Sequence, residues 1–268
     1  MPEQRVTVEI TDGVADVRLA RPEKRNALDP AMFAALVRTG EDLAHEPGLR
    51  AVVLSGEGPD FCAGLDFGSF QAMRDGQRLS ATADLPPTDG PAQATGQRAA
   101  HVWTALPVPV IAAVTGNALG GGLQIALGAD LRIVAPDAVL AVLEIRWGLI
   151  PDMTGTQVLV ELVGRDKAKE LTLTGRRLSG TEAVEIGLAT RVDPDPRAAA
   201  LALAREIAGF NPHAVRAAKR LLESSGRVPL RDQLAAEQTE IGALIGSENQ
   251  REAVAAGFEK RAPRFTDR

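Results

Sequence analysis

With 268 residues, 45 % of them hydrophobic and 24 % charged, the chain has the composition of a globular protein with one large α/β domain or two small ones. Its net charge of −5 argues against general nucleic-acid binding, and no apolar run approaches the ~20 residues needed to span a bilayer. Cys62 is the only cysteine, which excludes an internal disulfide and a cysteine-based zinc site. We therefore expect a cytoplasmic protein without a metal centre.

The N-terminal part predicts alternating strands and helices. Val6 to Ile10 and Val14 to Leu19 have the pattern of paired strands around an Asp12-Gly13 turn. Asp29, followed by a proline, predicts the N-cap of a helix. Ala51 to Ser55 predicts a buried strand. This alternation indicates an α/β architecture.

Residues 68–98 interrupt the alternation with Gly, Pro, Ser, Thr and Asp and show little periodicity, so we predict a long loop that is functional or mobile. Val110 to Val114 predicts the next strand. From Gly164 onward helical spacing dominates. We expect an α/β core over residues 1–195 and a helical C-terminal region over 196–268 that packs on it or on a neighbouring subunit.

The stretch that follows Val110 carries the clearest chemical pattern. The glycine triplet 120–122 precedes a helical stretch, where backbone N–H groups can remain free to hold an oxygen that becomes negative. Glu144 lies in an apolar run, where burial raises a carboxyl pKa toward values useful for a general base. Oxyanion donors and one base indicate proton abstraction next to a carbonyl. Gln124 is an amide where such a site could have used a second acid.

A second informative stretch, Asp60 to Phe67, follows a predicted buried strand. Ala63-Gly64 would let the backbone approach a ligand. The alternative is a tight strand-to-helix turn with Asp66 as its cap, and the residues alone leave both interpretations open. Cys62 has apolar neighbours and no histidine in a local motif with it, so we predict a buried structural thiol rather than a nucleophile.

These stretches together resemble the crotonase superfamily, the enoyl-CoA hydratase/isomerase family. The similarity runs almost end to end and rests on the segments RPEKRNAL (21–28), FCAGLD (61–66), IAAVTGNALGGG (111–122), Glu144 with GLIPDMTGTQ (148–157), and EKRAPRF (259–265). The resemblance implies a spiral of ββα units, a helical C-terminal trimerisation region, and a homotrimer or a dimer of trimers. It also implies an acyl-CoA substrate, with coenzyme A present only as part of the thioester and no separate cofactor.

The resemblance also implies roles for individual residues. The backbone N–H groups of Leu65 and Gly121 would form an oxyanion hole for the thioester oxygen, and loss of one such donor typically costs ~3–4 kcal/mol. Coenzyme A would contact residues from three separate segments: Lys24, Arg25, Ala27, Ala63, Asp66, Phe67 and Lys260. Of these, Lys24 or Arg25 would approach the diphosphate, and Lys260 would approach the 3′-phosphate from an adjacent subunit. Without the resemblance, these cations would be read as solvated surface charges.

Glu144 matches a glutamate that activates water in hydratases and moves the proton between C2 and C4 in isomerases of this family. The alternative is a structural glutamate paired with Arg146 or Arg132. Gln124 matches the first glutamate of true hydratases. An amide cannot exchange a proton at neutral pH, so hydration should be impaired, whereas a one-base isomerase loses nothing.

Asp152 complicates this assignment. It matches an aspartate of dienoyl-CoA isomerases, and the alternative role is to cap the helix predicted to start near Thr154. Trp147 and Met153 line the acyl pocket or belong to the core. We expect an enoyl-CoA double-bond isomerase with Glu144 as base. The alternatives are a hydratase or dienoyl-CoA isomerase using Glu144 with Asp152, and a non-catalytic acyl-CoA-binding protein.

Overall fold

The computed structural model describes residues 4–76 and 85–267. In these ranges the strands and helices are, in chain order, β1 (Val6–Thr11), β2 (Val14–Leu19), α1 (Pro30–Ala44), β3 (Ala51–Gly56), α2 (Phe67–Arg74), α3 (Thr95–Ala105), β4 (Val110–Val114), β5 (Asn117–Leu119), α4 (Gly121–Leu127), β6 (Leu131–Val134), β7 (Val139–Ala141), α5 (Gly155–Thr174), β8 (Leu178–Ser179), α6 (Gly180–Glu185), β9 (Arg191–Val192), α7 (Pro196–Ala208), α8 (Pro212–Ser224), α9 (Leu230–Leu244) and α10 (Glu248–Glu259). Two short 3₁₀ turns, Pro22–Lys24 and Glu144–Trp147, complete the set.

A six-stranded sheet forms the centre of the protein, in the order β1-β2-β3-β4-β6-β9. The predicted hairpin of β1 and β2 is confirmed, and the two strands are antiparallel with Thr11 opposite Val14. Asp12 and Gly13 both have positive φ, 51° and 77°, as a tight hairpin turn requires. All other pairs in this sheet are parallel.

A small second sheet has the order β5-β7-β8. The chain alternates between the two sheets: β4 lies in the large sheet and β5 in the small one, α4 follows, and β6 and β7 repeat the alternation. This strand-strand-helix repeat agrees with the expected ββα units. The strands of the small sheet have two or three residues each, which is too short for a two-residue periodicity to reveal them.

The central strands are buried on both faces because their successive side chains point to opposite sides. On one face, Val52 and Leu54 of β3 pack in the main core with α1 and α3. On the other face, Val53 packs in a cluster with alanines of α7 that recur every four residues, at Ala200, Ala204 and Ala208. The division of the chain at residue 195 stays a prediction, although α7, which lies beyond it, packs directly on the sheet.

The prediction of an irregular segment over residues 68–98 is wrong at both ends, where the chain forms helices. Helix α2 starts at Phe67 because Asp66 caps it, with its side chain accepting a hydrogen bond from the Gly68 N–H. Helix α3 starts at Thr95, where the Gln97 side chain accepts from the Ala94 N–H. Residues 77–84, which also belong to the predicted loop, lie outside the described residues. Helix α2 is short and mostly exposed, so it lacks an apolar stripe that the sequence could show.

Helices α8 to α10 follow α7, and α9 has no buried residue. Large apolar side chains are exposed on α9 and α10: Leu230, Leu234, Ile241, Val254 and Phe258. The C-terminal tail returns to the sheet region, where the Arg50 guanidinium donates to the carbonyl of Phe265 at 3.1 Å. Across the described ranges, no helix combines the length and apolar character that crossing a bilayer would demand.

Candidate active site

The segment that carries Leu65 is held between two neighbours. On one side, the Leu28 N–H donates to the carbonyl of Gly64 at 2.8 Å, and the Asp66 N–H donates to the carbonyl of Leu28 at 3.0 Å. On the other side, the Leu119 N–H of β5 donates to the carbonyl of Cys62 at 3.0 Å. The Leu65 N–H itself donates to no acceptor within residues 4–76 and 85–267. This N–H is therefore fixed in position and available to a ligand.

The backbone at position 64, directly before Leu65, requires a glycine. Its φ is +90°, a conformation that side chains rarely adopt, and a Cβ would lie 2.7 Å from the carbonyl oxygen of Leu119. The same Cβ would lie 4.0 Å from the nitrogen of Gly121, so the two predicted oxyanion segments adjoin. The structure thus brings together two residues that are far apart in the sequence.

The glycine triplet forms the entrance of α4. Gly120 has a φ of +53°, and its N–H donates to the carbonyl of Ala141 at 2.9 Å. Gly121 is the first residue of α4, so its N–H has no acceptor within the helix. A Cβ on Gly122 would lie 2.5 Å from the carbonyl oxygen of Cys62, so this glycine allows α4 to pack against the Leu65 segment.

Cys62 is buried, and its thiol donates to the carbonyl of Asn26 at 3.1 Å. Burial raises the pKa of the Cys62 thiol to about 12, so the thiolate is absent at neutral pH. The prediction of a buried structural thiol is confirmed.

Glu144 opens the 3₁₀ turn that follows β7 and lies beside the glycine triplet, 3.5 Å from where a Cβ of Gly120 would be. Its Oε1 accepts a hydrogen bond of 2.6 Å from the Gln124 Nε2, whereas its Oε2 is buried and has no partner among the described residues. Burial raises the pKa of Glu144, and the negative charge of Asp152 raises it further, against hydrogen bonds from its own N–H and from Gln124 that lower it.

The alternative role of Glu144, as the partner of a nearby arginine, is wrong. The Arg146 Nε donates to the carbonyl of Gly175 at 3.3 Å. The Arg132 guanidinium is buried and donates to the carbonyls of Leu188 and Ala129. Neither arginine reaches Glu144, so its carboxylate is not neutralised by a cation of the described chain.

Gln124 lies at the centre of this arrangement and is only 2 % exposed. Its Oε1 accepts hydrogen bonds from the N–H groups of Met153 at 2.8 Å and Gly155 at 3.1 Å. These donors lie about thirty residues further along the chain, at the start of α5. No local sequence pattern therefore predicts that Gln124 caps this helix.

Asp152 is in part exposed, and desolvation of its carboxyl raises its pKa. Its side chain does not cap α5, whose first residue is Gly155, because the Gly155 N–H is already bound by Gln124. The capping alternative for Asp152 is therefore wrong for this N–H. Asp152 remains an electrostatic neighbour of Glu144.

The residues expected to bind coenzyme A lie in two places. The turn with Lys24, Arg25 and Ala27 is joined to the Leu65 segment, since the Ala63 N–H donates to the carbonyl of Arg25 at 2.9 Å. Lys24 is exposed there. Lys260 is also exposed and lies at the C-terminal end of α10, and none of its contacts in the described chain reaches that turn.

Both carboxylate oxygens of Asp66 accept hydrogen bonds within the protein. One accepts from the Gly68 N–H at 2.8 Å and the other accepts from the Arg21 guanidinium at 2.8 Å. Burial alone would raise the pKa of Asp66, but these two hydrogen bonds and the positive charges of Arg21 and Lys24 hold it below the usual range.

An aromatic cluster connects the two halves of the site. Phe67 and Phe70 belong to α2, and Trp147 belongs to the same 3₁₀ turn as Glu144. Phe70 stacks on Trp147 at a centroid distance of 4.4 Å, and Phe67 meets Trp147 edge-on at 6.4 Å. Phe67 is 74 % and Trp147 is 52 % exposed, so this cluster is not core, whereas Met153 is buried beside Gly121.

In the described part of the chain, no three His, Cys, Asp or Glu side chains are close enough together to hold a metal ion. The chemical resources of the site are two backbone donors, one half-buried carboxylate, one amide and an apolar border. Such a set can hold a carbonyl oxygen and remove a proton next to it.

Solved structures identify the class of fold. The crystal structure of an enoyl-CoA hydratase from Bacillus anthracis matches with a TM-score of 0.89 and 33 % identity, covering 99 % of this chain and 100 % of that chain. A putative enoyl-CoA hydratase from Streptomyces coelicolor matches with a TM-score of 0.88 and 33 % identity, covering 100 % and 96 %. The protein therefore has the mixed α/β crotonase fold, as expected.

Sequence comparisons identify the family. The family model described as enoyl-CoA hydratase/isomerase matches residues 9–268. A putative enoyl-CoA hydratase/isomerase of Bacillus subtilis is 39 % identical over 253 residues, which cover 92 % of this chain and 92 % of that protein. The mouse mitochondrial enoyl-CoA hydratase domain-containing protein 2 is 36 % identical over 260 residues, which cover 94 % and 84 %. The chain belongs to the enoyl-CoA hydratase/isomerase family, whose members act on acyl-CoA thioesters.

Proposed function

We propose that this protein is an enoyl-CoA isomerase that moves a double bond through a thioester enolate. The observation that carries the proposal is the carboxylate of the half-buried Glu144, whose Oε2 atom is buried and has no partner in the described chain, next to an amide that cannot exchange protons. Isomerisation needs one group that removes a proton and returns it, and Glu144 meets this need alone. Hydration by two carboxylates would need an acid where Gln124 stands.

The reaction starts with the thioester oxygen of a 3-enoyl-CoA between the N–H groups of Leu65 and Gly121. Glu144 removes a proton from C2, and the negative charge develops on the thioester oxygen, where the two N–H donors stabilise it. The protonated Glu144 then returns the proton to C4, so that the double bond ends between C2 and C3. The raised pKa of Glu144 suits both halves of this transfer.

A hydratase or dienoyl-CoA isomerase is the second candidate within the family. The observation that favours it is Asp152, which is close enough to Glu144 to raise its pKa. Asp152 would then act as the second acid in place of Gln124. Its exposed position supports this role less well than the half-buried position of Glu144, with its buried Oε2, supports proton abstraction.

A non-catalytic acyl-CoA-binding protein is the candidate from a different class. It would keep the two N–H donors and the segments expected to hold coenzyme A, and it would turn over no thioester.

The proposal of an enoyl-CoA isomerase also includes a cytoplasmic location and a homotrimer or dimer of trimers. Coenzyme A contacts are proposed for Lys24, Arg25, Ala27, Ala63, Asp66, Phe67 and Lys260. Coenzyme A would take part only as the thioester portion of the substrate.

A substrate panel with a Glu144→Gln variant tests these candidates. Trans-3-enoyl-, trans-2-enoyl- and 3,5-dienoyl-CoA are assayed side by side, and we expect turnover to be fastest with the trans-3-enoyl substrate. Because a positioned general base contributes ~10²–10⁴-fold, Glu144→Gln should lower kcat by about that factor while coenzyme A thioesters still bind. Hydration of the trans-2-enoyl substrate at a faster rate would support the second candidate. No turnover by the wild type would support the binding protein.

A further inference from the structure

The side chain of Gln124 has an orientation that its surroundings determine. Its oxygen accepts from two backbone N–H groups, at 2.8 Å from Met153 and 3.1 Å from Gly155. An NH₂ group in that position would face two donors, so the amide cannot be turned around without losing both hydrogen bonds. The NH₂ group must therefore face Glu144, to which it donates at 2.6 Å.

This orientation divides the carboxylate of Glu144 into two unlike oxygens. Oε1 is held by the Gln124 amide, whereas Oε2 is buried and has no partner in the described chain. An unpaired buried carboxylate oxygen is costly, and such groups call for a functional explanation. Oε2 is the oxygen left for a substrate proton.

Gln124 is largely enclosed by the protein. It is 2 % exposed, its oxygen already accepts twice, and one N–H of its NH₂ group donates to Glu144. Its contacts all lead to Glu144 or to the start of α5.

We infer that Gln124 is a positioning residue that fixes Oε1 of Glu144 and leaves Oε2 as the oxygen that moves the substrate proton. This inference rests on the proposed function, since it assigns the atom that acts in that reaction. Gln124 then acts through Glu144 and does not touch the substrate.

The charges around Glu144 allow a clear pH test. Helix α4, which carries Gln124, has no charged side chain. At the start of α5 the charged neighbour is Asp152, which raises the pKa of Glu144, and on the 3₁₀ turn itself Arg146 is directed to the carbonyl of Gly175. On α2, the charged residue is Arg74, whose guanidinium pairs with Asp75. Replacing Gln124 by an acid therefore introduces one new titratable group next to Glu144.

The decisive variant is Gln124→Glu, which keeps an acceptor oxygen for Met153 and Gly155 and replaces the donor to Glu144 by a second carboxylate oxygen. Two carboxylates at this distance share one proton, so we expect the acid limb of the kcat/KM profile to move up by about one pH unit or more. The KM for the thioester should stay near the wild-type value. An unchanged pH profile would mean that the side chain at position 124 does not contact Glu144 in solution, which would overturn the inference.

A titration that does not depend on turnover gives the second readout. The carboxyl ¹³C signal of Glu144, assigned by its loss in Glu144→Gln, should titrate at higher pH in Gln124→Glu than in the wild type. In the wild type, the side-chain amide protons of Gln124 should shift with the same midpoint as Glu144, which requires no substitution at Gln124. Amide protons that do not respond to this titration would contradict the inference.

The two proposals fail in different ways. If Glu144→Gln turned over the substrate at the wild-type rate, the proposed function would be wrong. The NMR titrations would still decide whether Gln124 holds Oε1. Loss of turnover in Glu144→Gln together with unchanged titrations in Gln124→Glu would keep the proposed function and remove the positioning role.

Discussion

Glu144 combines features that favour catalysis and disfavour folding. Its carboxylate is largely removed from water, and one of its oxygens makes no hydrogen bond in the described chain. Ionising such a group costs more in the folded state than in the unfolded state. The residue proposed to do the chemistry should therefore reduce the stability of the protein at neutral pH.

We predict that Glu144→Gln raises the unfolding temperature at pH 7 by a few °C, on the order expected for one to two kcal/mol. Because burial raises the folded-state pKa of Glu144, its favourable contribution is fully present below the unfolded pKa of about 4.3 and is lost as the pH rises through the folded pKa. The advantage of the variant should therefore shrink toward pH 4. Thermal unfolding at several pH values measures it.

Glu161→Gln is the matched control. Burial would raise the pKa of Glu161, but hydrogen bonds from Arg227 and Gln157 hold it below its usual value. The stability from Glu161 is present above the unfolded pKa and is lost as the pH falls through the folded pKa. Glu161→Gln should thus lower the unfolding temperature at pH 7. The same sign for both variants would contradict this account.

At the residue scale, the resemblance to the family implied Gly121 and Leu65 as donors, and their segments do adjoin. The hydrogen bonds of Gln124 could not be predicted, because its two backbone donors lie on a distant helix whose approach depends on tertiary packing. The same limit applies to the capping role considered for Asp152. The Gly155 N–H binds Gln124 instead, which is distant in the sequence.

Elements were predicted well where they are long or capped by a recognisable residue. Helix α1 begins after Asp29, whose side chain accepts from the Met32 N–H as expected. Helix α2 was missed because its residues face solvent or the aromatic cluster and leave no apolar period. The helix predicted to start near Thr154 is α5, which a kink at Gly164, with φ of 75° and ψ of 161°, divides into two parts.

The contact between α2 and the Glu144 turn provides a reporter for ligand binding. The chain has two tryptophans; Trp103 is fully buried, and Trp147 is half exposed and stacked on Phe70. We predict that an acyl-CoA thioester changes the fluorescence of Trp147, because the stack borders the proposed acyl site. The change should disappear in Trp147→Phe. A signal that persists in this variant would come from Trp103 and would contradict the placement.

On the scale of the whole molecule, α9 and α10 expose several large apolar side chains, and exposed apolar patches of this kind mark interaction surfaces. Helix α9 has no buried residue, and Leu234 and Ile241 are spaced by two helical turns on one face. Such a face supports the prediction of an oligomer formed through the C-terminal region.

We predict that the double variant Leu234→Glu and Ile241→Glu shifts the solution mass to that of a monomer. Neither side chain is part of a buried core in the single chain, so the helical content should stay at the wild-type level. Sedimentation velocity measures the mass. Thr239→Glu adds a charge on another face of α9 and should leave the assembly intact, and a wild-type protein that sediments as a monomer would refute the oligomer.

The contact between the Leu65 and Gly121 segments affects the order in which the protein folds. The pair exists only after the strand β5 has docked beside Cys62, and the chain between the two donors includes α2, α3 and β4. Closing so long a loop is slower than forming helices from local contacts. A refolding chain can thus regain most of its helical signal before it has a functional site, which makes binding of a thioester a stricter criterion of native structure than helicity.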